Sequence, residues 1–165
     1  MLVMMHDIGD TIIRIMADGL VVPVVLIAAW VLLHVPRKQW WEHITRAIFM
    51  GLVALFTAKI MSLAYQERER PFALLGIHAK AAYLNNPGFP SDHVLFVFAI
   101  TFVVWAVTKN KAWTLTLVVL SVLIALGRVL ALVHTPLDVA GGFIAALIAA
   151  TLVYGRDFYS SKLPR

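Results

Sequence analysis

Long apolar stretches separated by short polar breaks set the pattern of this chain, with five runs at residues 19–35, 41–65, 92–108, 112–133 and 136–154. A helix needs roughly 20 apolar residues to cross a bilayer, and it satisfies its own backbone there. Ahead of the first run, Met5, Ile8, Ile12, Ile15 and Met16 recur at helical spacing, with Asp7, Thr11, Arg14 and Asp18 on the opposite face. That predicts a short helix over 1–17 lying along the membrane surface. The same stretch lacks a basic start and carries Asp7 and Asp10, so it does not read as a cleavable signal peptide. Pro36-Arg37-Lys38 ends the first run, Lys109-Asn110-Lys111 makes a tight turn, and residues 66–91 form the longest polar break. The expected fold is all-α: a polytopic membrane helical bundle of five transmembrane helices plus an N-terminal interfacial helix. It forms a single domain over 1–165 with no internal repeat or linker.

Composition agrees with that reading. The chain is 61% hydrophobic and 14% charged, whereas a soluble domain is about half apolar and about a quarter charged. The formal charge is +5, but the basic residues are scattered singly or in pairs. They read as topology signals and ligands for an anion rather than as a nucleic-acid surface. With no cysteine, disulfides, thiol catalysis and thiolate metal sites are excluded.

An odd number of spans puts the termini on opposite sides. Arg37, Lys38, Arg46, Lys109, Lys111, Arg156, Lys162 and Arg165 collect on one side, and Arg14, Arg68, Arg70, Lys80 and Arg128 on the other. The positive-inside rule places the first group, the C-terminus and the tryptophans in or near the cytoplasm of a cell membrane. The 66–91 loop and the 128–136 junction then share the outer, extracytoplasmic face. Ala140, Gly141, Gly142, Ala145, Ala146, Ala149 and Ala150 give the last span a small-residue face suited to close packing within the bundle.

Three segments on that outer face carry polar residues that a structural bundle does not need. Arg128 and Asp138 flank an apolar connection ending in His134, and such charges cost about 2.5–3.5 kcal/mol at a span's centre. His134 and Asp138 are four residues apart and share a face if helical. The carboxylate then fixes the imidazole tautomer and leaves the other nitrogen free to attack. An Asp–His pair that only satisfies two interfacial polar groups is the alternative. In Pro90-Ser91-Asp92-His93, Ser91 or Asp92 suits a helix N-cap, and a helix start is a natural seat for phosphate. His93 on the first turn is placed to protonate a leaving oxygen. Arg70 precedes Pro71, which keeps it extended, leaving its guanidinium to pair bidentately with phosphate oxygens. Each segment alone also has an ordinary structural explanation, but together they describe an oxyanion site.

Arg70-Pro71, Pro90-Ser91-x-His93 and Arg128-x5-His134-x3-Asp138 resemble the signature of the type-2 phosphatidic acid phosphatase superfamily, which shares its site with vanadium haloperoxidases. The resemblance implies that His134 attacks phosphorus to give a phosphohistidine, with Asp138 orienting it. His93 then protonates the leaving group, and Arg70, Arg128 and Ser91 hold the phosphate; no metal or other cofactor is implied. The family lysine would fall on Leu63, so Lys59 or Arg68 is expected to replace it, and Gly127 stands where the family has serine. Asp92 stands where glycine is usual, which resembles the bacitracin-resistance type of undecaprenyl pyrophosphate phosphatase. The implied substrate is therefore a polyprenyl pyrophosphate, with phosphatidylglycerophosphate, phosphatidic acid and lipid A phosphates as alternatives. An anion transporter or an accessory membrane bundle is the competing class. His6, His34, His43 and His78 are read as bystanders, while Tyr83, Asn85, Asn86 and Phe89 are expected to shape the loop around the headgroup.

Overall fold

A computed structural model describes residues 2–65, 69–85 and 88–159, with side chains described from 8 onward and up to 155. Among the described residues, seven α-helices follow in order: α1 (Leu2–Arg14), α2 (Val21–Leu33), α3 (Trp40–Ala64), α4 (Pro71–Leu74), α5 (Asp92–Thr108), α6 (Lys111–Leu130) and α7 (Pro136–Tyr159). The stretches Ile8–Leu33, Arg37–Ala64, Lys111–Leu130 and Pro136–Gly155 are long and apolar enough to cross a membrane, while α5 is shorter at 17 residues. The chain is an integral membrane protein built as an all-α bundle.

α5 lies at the centre, packed on α7, α6, α2 and α3, and α7 packs on α3 as well. The small-residue face is what allows this. Ala145, Ala146, Ala149 and Ala150 are fully buried, so the helices on either side approach α7 closely. One core joins α2, α5 and α6 through Val24, Ala28, Val94, Val97, Val104 and Leu117. A second joins α3, α5 and α7 through Met50, Ala54, Leu95, Ala106 and Tyr154. Between α5 and α6, the buried hydroxyls of Thr101 and Ser121 lie 3.2 Å apart. The tight turn expected between those helices forms; in it Lys109 takes a left-handed conformation at φ 52° and Asn110 caps α6 by accepting the Trp113 N–H at 3.2 Å.

Two boundaries differ from the pattern-based expectation. The segment over 1–17 is helical, but it does not end before the first span. A π-helical turn, Ile15–Gly19, carries the backbone from α1 into α2 and packs on α6. Amphipathic spacing marks the polar face of a helix, but it does not mark where a helix widens by one residue. At the other end, α6 stops at Leu130 rather than near 133. Ala131 and Leu132 turn the chain, with Leu132 at φ 60°, a conformation costly for a residue with a Cβ. Surrounding contacts hold it there. The Phe72 N–H donates to the Leu132 carbonyl at 3.0 Å and the Lys80 N–H to that of Ala131 at 3.4 Å. Beneath this turn, Ala17, Ala81, Ala131 and Val133 form a small buried cluster that ties the π turn to the 77–85 loop.

Candidate active site

The site begins where α7 starts. Pro136 occupies the first helical position, as its fixed φ favours, so Thr135 is the N-cap and His134 lies just outside the helix. Thr135 and Asp138 form a reciprocal capping box: the Thr135 N–H donates to Asp138 Oδ2 at 2.7 Å, and the Asp138 N–H donates to Thr135 Oγ1 at 3.2 Å. The same Oδ2 stands 3.4 Å from His134 Nδ1. The two residues meet as their spacing implied, yet the cap brings them together rather than a shared helical face. Both are buried, His134 to 5% exposure and Asp138 completely. Burial pulls the His134 imidazole below its ordinary pKa, opposed by the Asp138 carboxylate and assisted by the nearby Arg128 and Arg70 charges. The neutral, nucleophilic form is thereby favoured.

Ser91 is the N-cap of α5, with extended backbone and Asp92 exposed at the first helical position. Its N–H donates to the Asp138 carbonyl at 2.9 Å, binding the start of α5 to the start of α7. Glycines make this approach possible. A Cβ on Gly142 would lie 2.5 Å from the Ser91 carbonyl oxygen, and one on Gly141 would lie 2.5 Å from the Phe89 ring. The buried Ser91 hydroxyl and the buried Nε of Arg128 have no hydrogen-bond partner among the described residues. Buried polar atoms are seldom left so, and both atoms are of the kind that bind a phosphate oxygen.

Arg128 comes from the last turn of α6 at 1% exposure, and its NH1 donates to Asp18 Oδ1 at 2.6 Å. That same oxygen stands 3.7 Å from His93 Nε2. Arg70 is also buried. It donates to the Val133 carbonyl at 2.6 Å and the Leu84 carbonyl at 3.1 Å, beneath the Tyr83 ring. In this structure Arg70 therefore grips the backbone immediately before His134. Its charge still reaches His134 and Arg128.

The structure thus gathers His134, Asp138, His93, Ser91, Arg128 and Arg70 at one end of the bundle, with Asp92 exposed at its rim. Lys59 is exposed on α3, and no hydrogen bond or ion pair joins it to these groups among the described residues; Arg68 lies outside the described residues, as does Asn86. His43 is buried at the far part of α3 beside Gln39, at 3.4 Å. His78 lines an open pocket of about 910 Å³ between α1 and the 77–83 loop, with Asp10, Arg14 and Lys80. Among the described residues no group of three or more His, Asp or Glu side chains is disposed to hold a metal.

Sequence reasoning missed Asp18, assigning it to the solvent face of a surface helix. One signal pointed inward: an acid embedded in the apolar stretch from Ile8 to Leu33 is expensive unless it is paired. Gly127, standing where the family has serine, has a packing reason: a Cβ there would lie 2.6 Å from the Ala17 backbone nitrogen. The glycine is what admits the π turn that delivers Asp18.

A histidine–carboxylate pair, a second histidine and two arginines thus stand together at one end of a helical membrane bundle. The chain belongs to the PAP2 superfamily, whose family description matches residues 43–162. It is 33% identical over 131 residues to the "Putative undecaprenyl-diphosphatase YbjG" of Escherichia coli (strain K12), covering 78% of this chain and 62% of the relative. It is 27% identical over 130 residues to the "Undecaprenyl-diphosphatase BcrC" of Bacillus subtilis (strain 168), covering 79% and 64%. A third relative, the "Bacitracin transport permease protein BcrC" of Bacillus licheniformis, is 30% identical over 109 residues, covering 66% and 52%. The alignments thus span 52–64% of the length of these relatives. No solved structure matches the chain significantly.

Proposed function

We propose that the protein hydrolyses the terminal phosphate of undecaprenyl pyrophosphate, regenerating a lipid carrier for cell-envelope synthesis. The observation that carries this reading is the meeting of His93 and Arg128 at a single oxygen position, in the same cluster as His134, whose Nδ1 stands 3.4 Å from Asp138. Relatives with undecaprenyl-diphosphatase names support the substrate.

In the first step, the imidazole nitrogen of His134 not facing Asp138 attacks the terminal phosphorus. The bond to the bridging oxygen breaks, and His93 gives that oxygen its proton as undecaprenyl phosphate leaves. Asp138 stabilises the cationic ring that forms. In the second step His93 takes a proton from water, whose oxygen attacks the phosphohistidine; the P–N bond breaks and inorganic phosphate departs. Arg128, Arg70 and the Ser91 hydroxyl hold the equatorial oxygens, where charge stabilisation is the main catalytic contribution. The charge distribution among loops favours a site on the extracytoplasmic face and a cytoplasmic C-terminus.

Phosphate release from undecaprenyl pyrophosphate by the purified chain in detergent, with EDTA present and His134→Ala alongside, tests this. Release that is lost in the variant supports the reading. Release only from phosphatidylglycerophosphate, phosphatidic acid or lipid A keeps the mechanism and rejects the substrate. No release from any of them, by folded protein, favours the transport activity that one relative's name carries.

A further inference from the structure

The phosphate seat is not empty of negative charge. Asp18 Oδ1 lies 2.6 Å from NH1 of Arg128 and 3.7 Å from Nε2 of His93. An oxygen between the guanidinium that binds phosphate and the imidazole that protonates the leaving group stands where a substrate oxygen must go. The other carboxylate oxygen, Oδ2, accepts the Ala82 N–H at 2.8 Å. One side chain therefore neutralises the seat and fastens the 77–85 loop over it. Around it the nucleophile is sealed: His134 is 5% exposed, Arg128 1% and Ser91 0%. Asp18 itself keeps 24% of its side chain exposed, so it is the group in this cluster that solvent reaches most readily after His93, at 34%.

We propose that Asp18 is a displaceable counter-ion: in the resting protein its carboxylate occupies the phosphate seat, and substrate phosphate binds by exchanging with it. The inference rests on the phosphatase reading above. Its physical basis is desolvation. An arginine buried at this depth is costly without a partner, and an internal carboxylate keeps it charged and oriented until a phosphate arrives. The π turn suits the task, because such widened turns recur at functional sites. When the carboxylate leaves, the Ala82 N–H loses its acceptor, so exchange at the seat loosens the loop beside the pocket lined by Arg14 and Lys80. Asp18 thus competes with substrate rather than assisting it, a role opposite to that of Asp138.

The test is the affinity of orthovanadate and inorganic phosphate for the wild type and for Asp18→Asn, read as inhibition of phosphate release and as direct binding. Asparagine keeps one carbonyl oxygen for Arg128 and gives up the oxygen that accepts the Ala82 N–H, so it weakens the competitor while leaving the side-chain volume unchanged. Both anions are expected to bind Asp18→Asn about tenfold more tightly, the gap between a charged and a neutral hydrogen bond. Unchanged or weaker binding overturns the proposal and makes Asp18 a positioning residue for Arg128. A second measurement needs no variant: amide hydrogen exchange of the 77–85 segment in the wild type. Saturating orthovanadate is expected to speed exchange at Ala82, and unchanged or slower exchange also overturns the proposal. A wild type that binds neither anion and releases no phosphate rejects the phosphatase reading itself, whereas one that does both, with Asp18→Asn no tighter, rejects only the exchange.

Discussion

Gly142→Ala adds one methyl group at the join between the two helices that carry the proposed chemistry. The new Cβ would lie 2.5 Å from the Ser91 carbonyl oxygen, 3.1 Å from the Leu95 backbone nitrogen and 3.2 Å from Val94 Cβ. The nearest two atoms are backbone, so no flexible side-chain end can swing aside. Relief to an ordinary contact near 3.4 Å requires the start of α5 to move from α7 by most of an ångström. That motion stretches the 2.9 Å bond from the Ser91 N–H to the Asp138 carbonyl and carries His93 and the Ser91 hydroxyl away from His134. Overpacking of this kind costs about 1–3 kcal/mol of stability, and a misplacement near 1 Å costs on the order of a hundredfold in rate. The control is Gly51→Ala on α3, where a Cβ meets nothing within 4 Å and the gain in helix propensity is about 0.5–1 kcal/mol. Phosphate release and thermal unfolding in detergent, measured for both variants, check the reasoning. A Gly142→Ala protein as active as wild type, or no more impaired than Gly51→Ala, refutes it.

Other expectations follow from the same geometry. Asp138→Asn keeps the shape of the capping box but removes the charge that orients and stabilises His134, so kcat should fall by about a thousandfold or more while unfolding shifts by only about 1 kcal/mol; parallel rate and melting measurements separate the two. Arg70→Lys loses the fork that reaches the Val133 and Leu84 carbonyls together, and each such charged bond is worth about 1.5–3 kcal/mol. Its melting temperature should drop along with activity, and guanidinium in the assay buffer should restore part of the rate. Because burial holds the His134 pKa below its ordinary 6.5, the acid limb of the rate profile should fall below that value. The stability sign follows from proton uptake: the unfolded chain binds the proton first, so the contribution of neutral His134 is complete above about pH 6.5 and is lost as pH falls through the lower folded pKa. A pH–rate profile, and melting curves of wild type against His134→Gln, check both.

Much of the fold, and the residues gathered in the candidate site, were legible in the sequence. Hydrophobic runs gave the apolar helices, since a bilayer leaves the backbone few other choices, and Pro136 and Ser91 marked helix starts through local chemistry. The identities of His134, Asp138, His93, Ser91, Arg128 and Arg70 followed from charges placed where an apolar environment makes them expensive. Their contacts were another matter. Spacing put His134 and Asp138 together for a reason that differs from the true one, the capping box of Thr135. It did not show that Arg70 reaches across 63 residues to the Val133 carbonyl, or that Lys59 stays on an exposed face. Asp18 and Arg128 are 110 residues apart, and no local periodicity relates them. Only close packing of the π turn against Gly127, and of the Ser91 loop against Gly141 and Gly142, decided which charges share one seat. A sequence specifies where polar groups must escape lipid; the tertiary contacts specify which of them meet, because their partners come from distant helices whose approach depends on the volume of single residues.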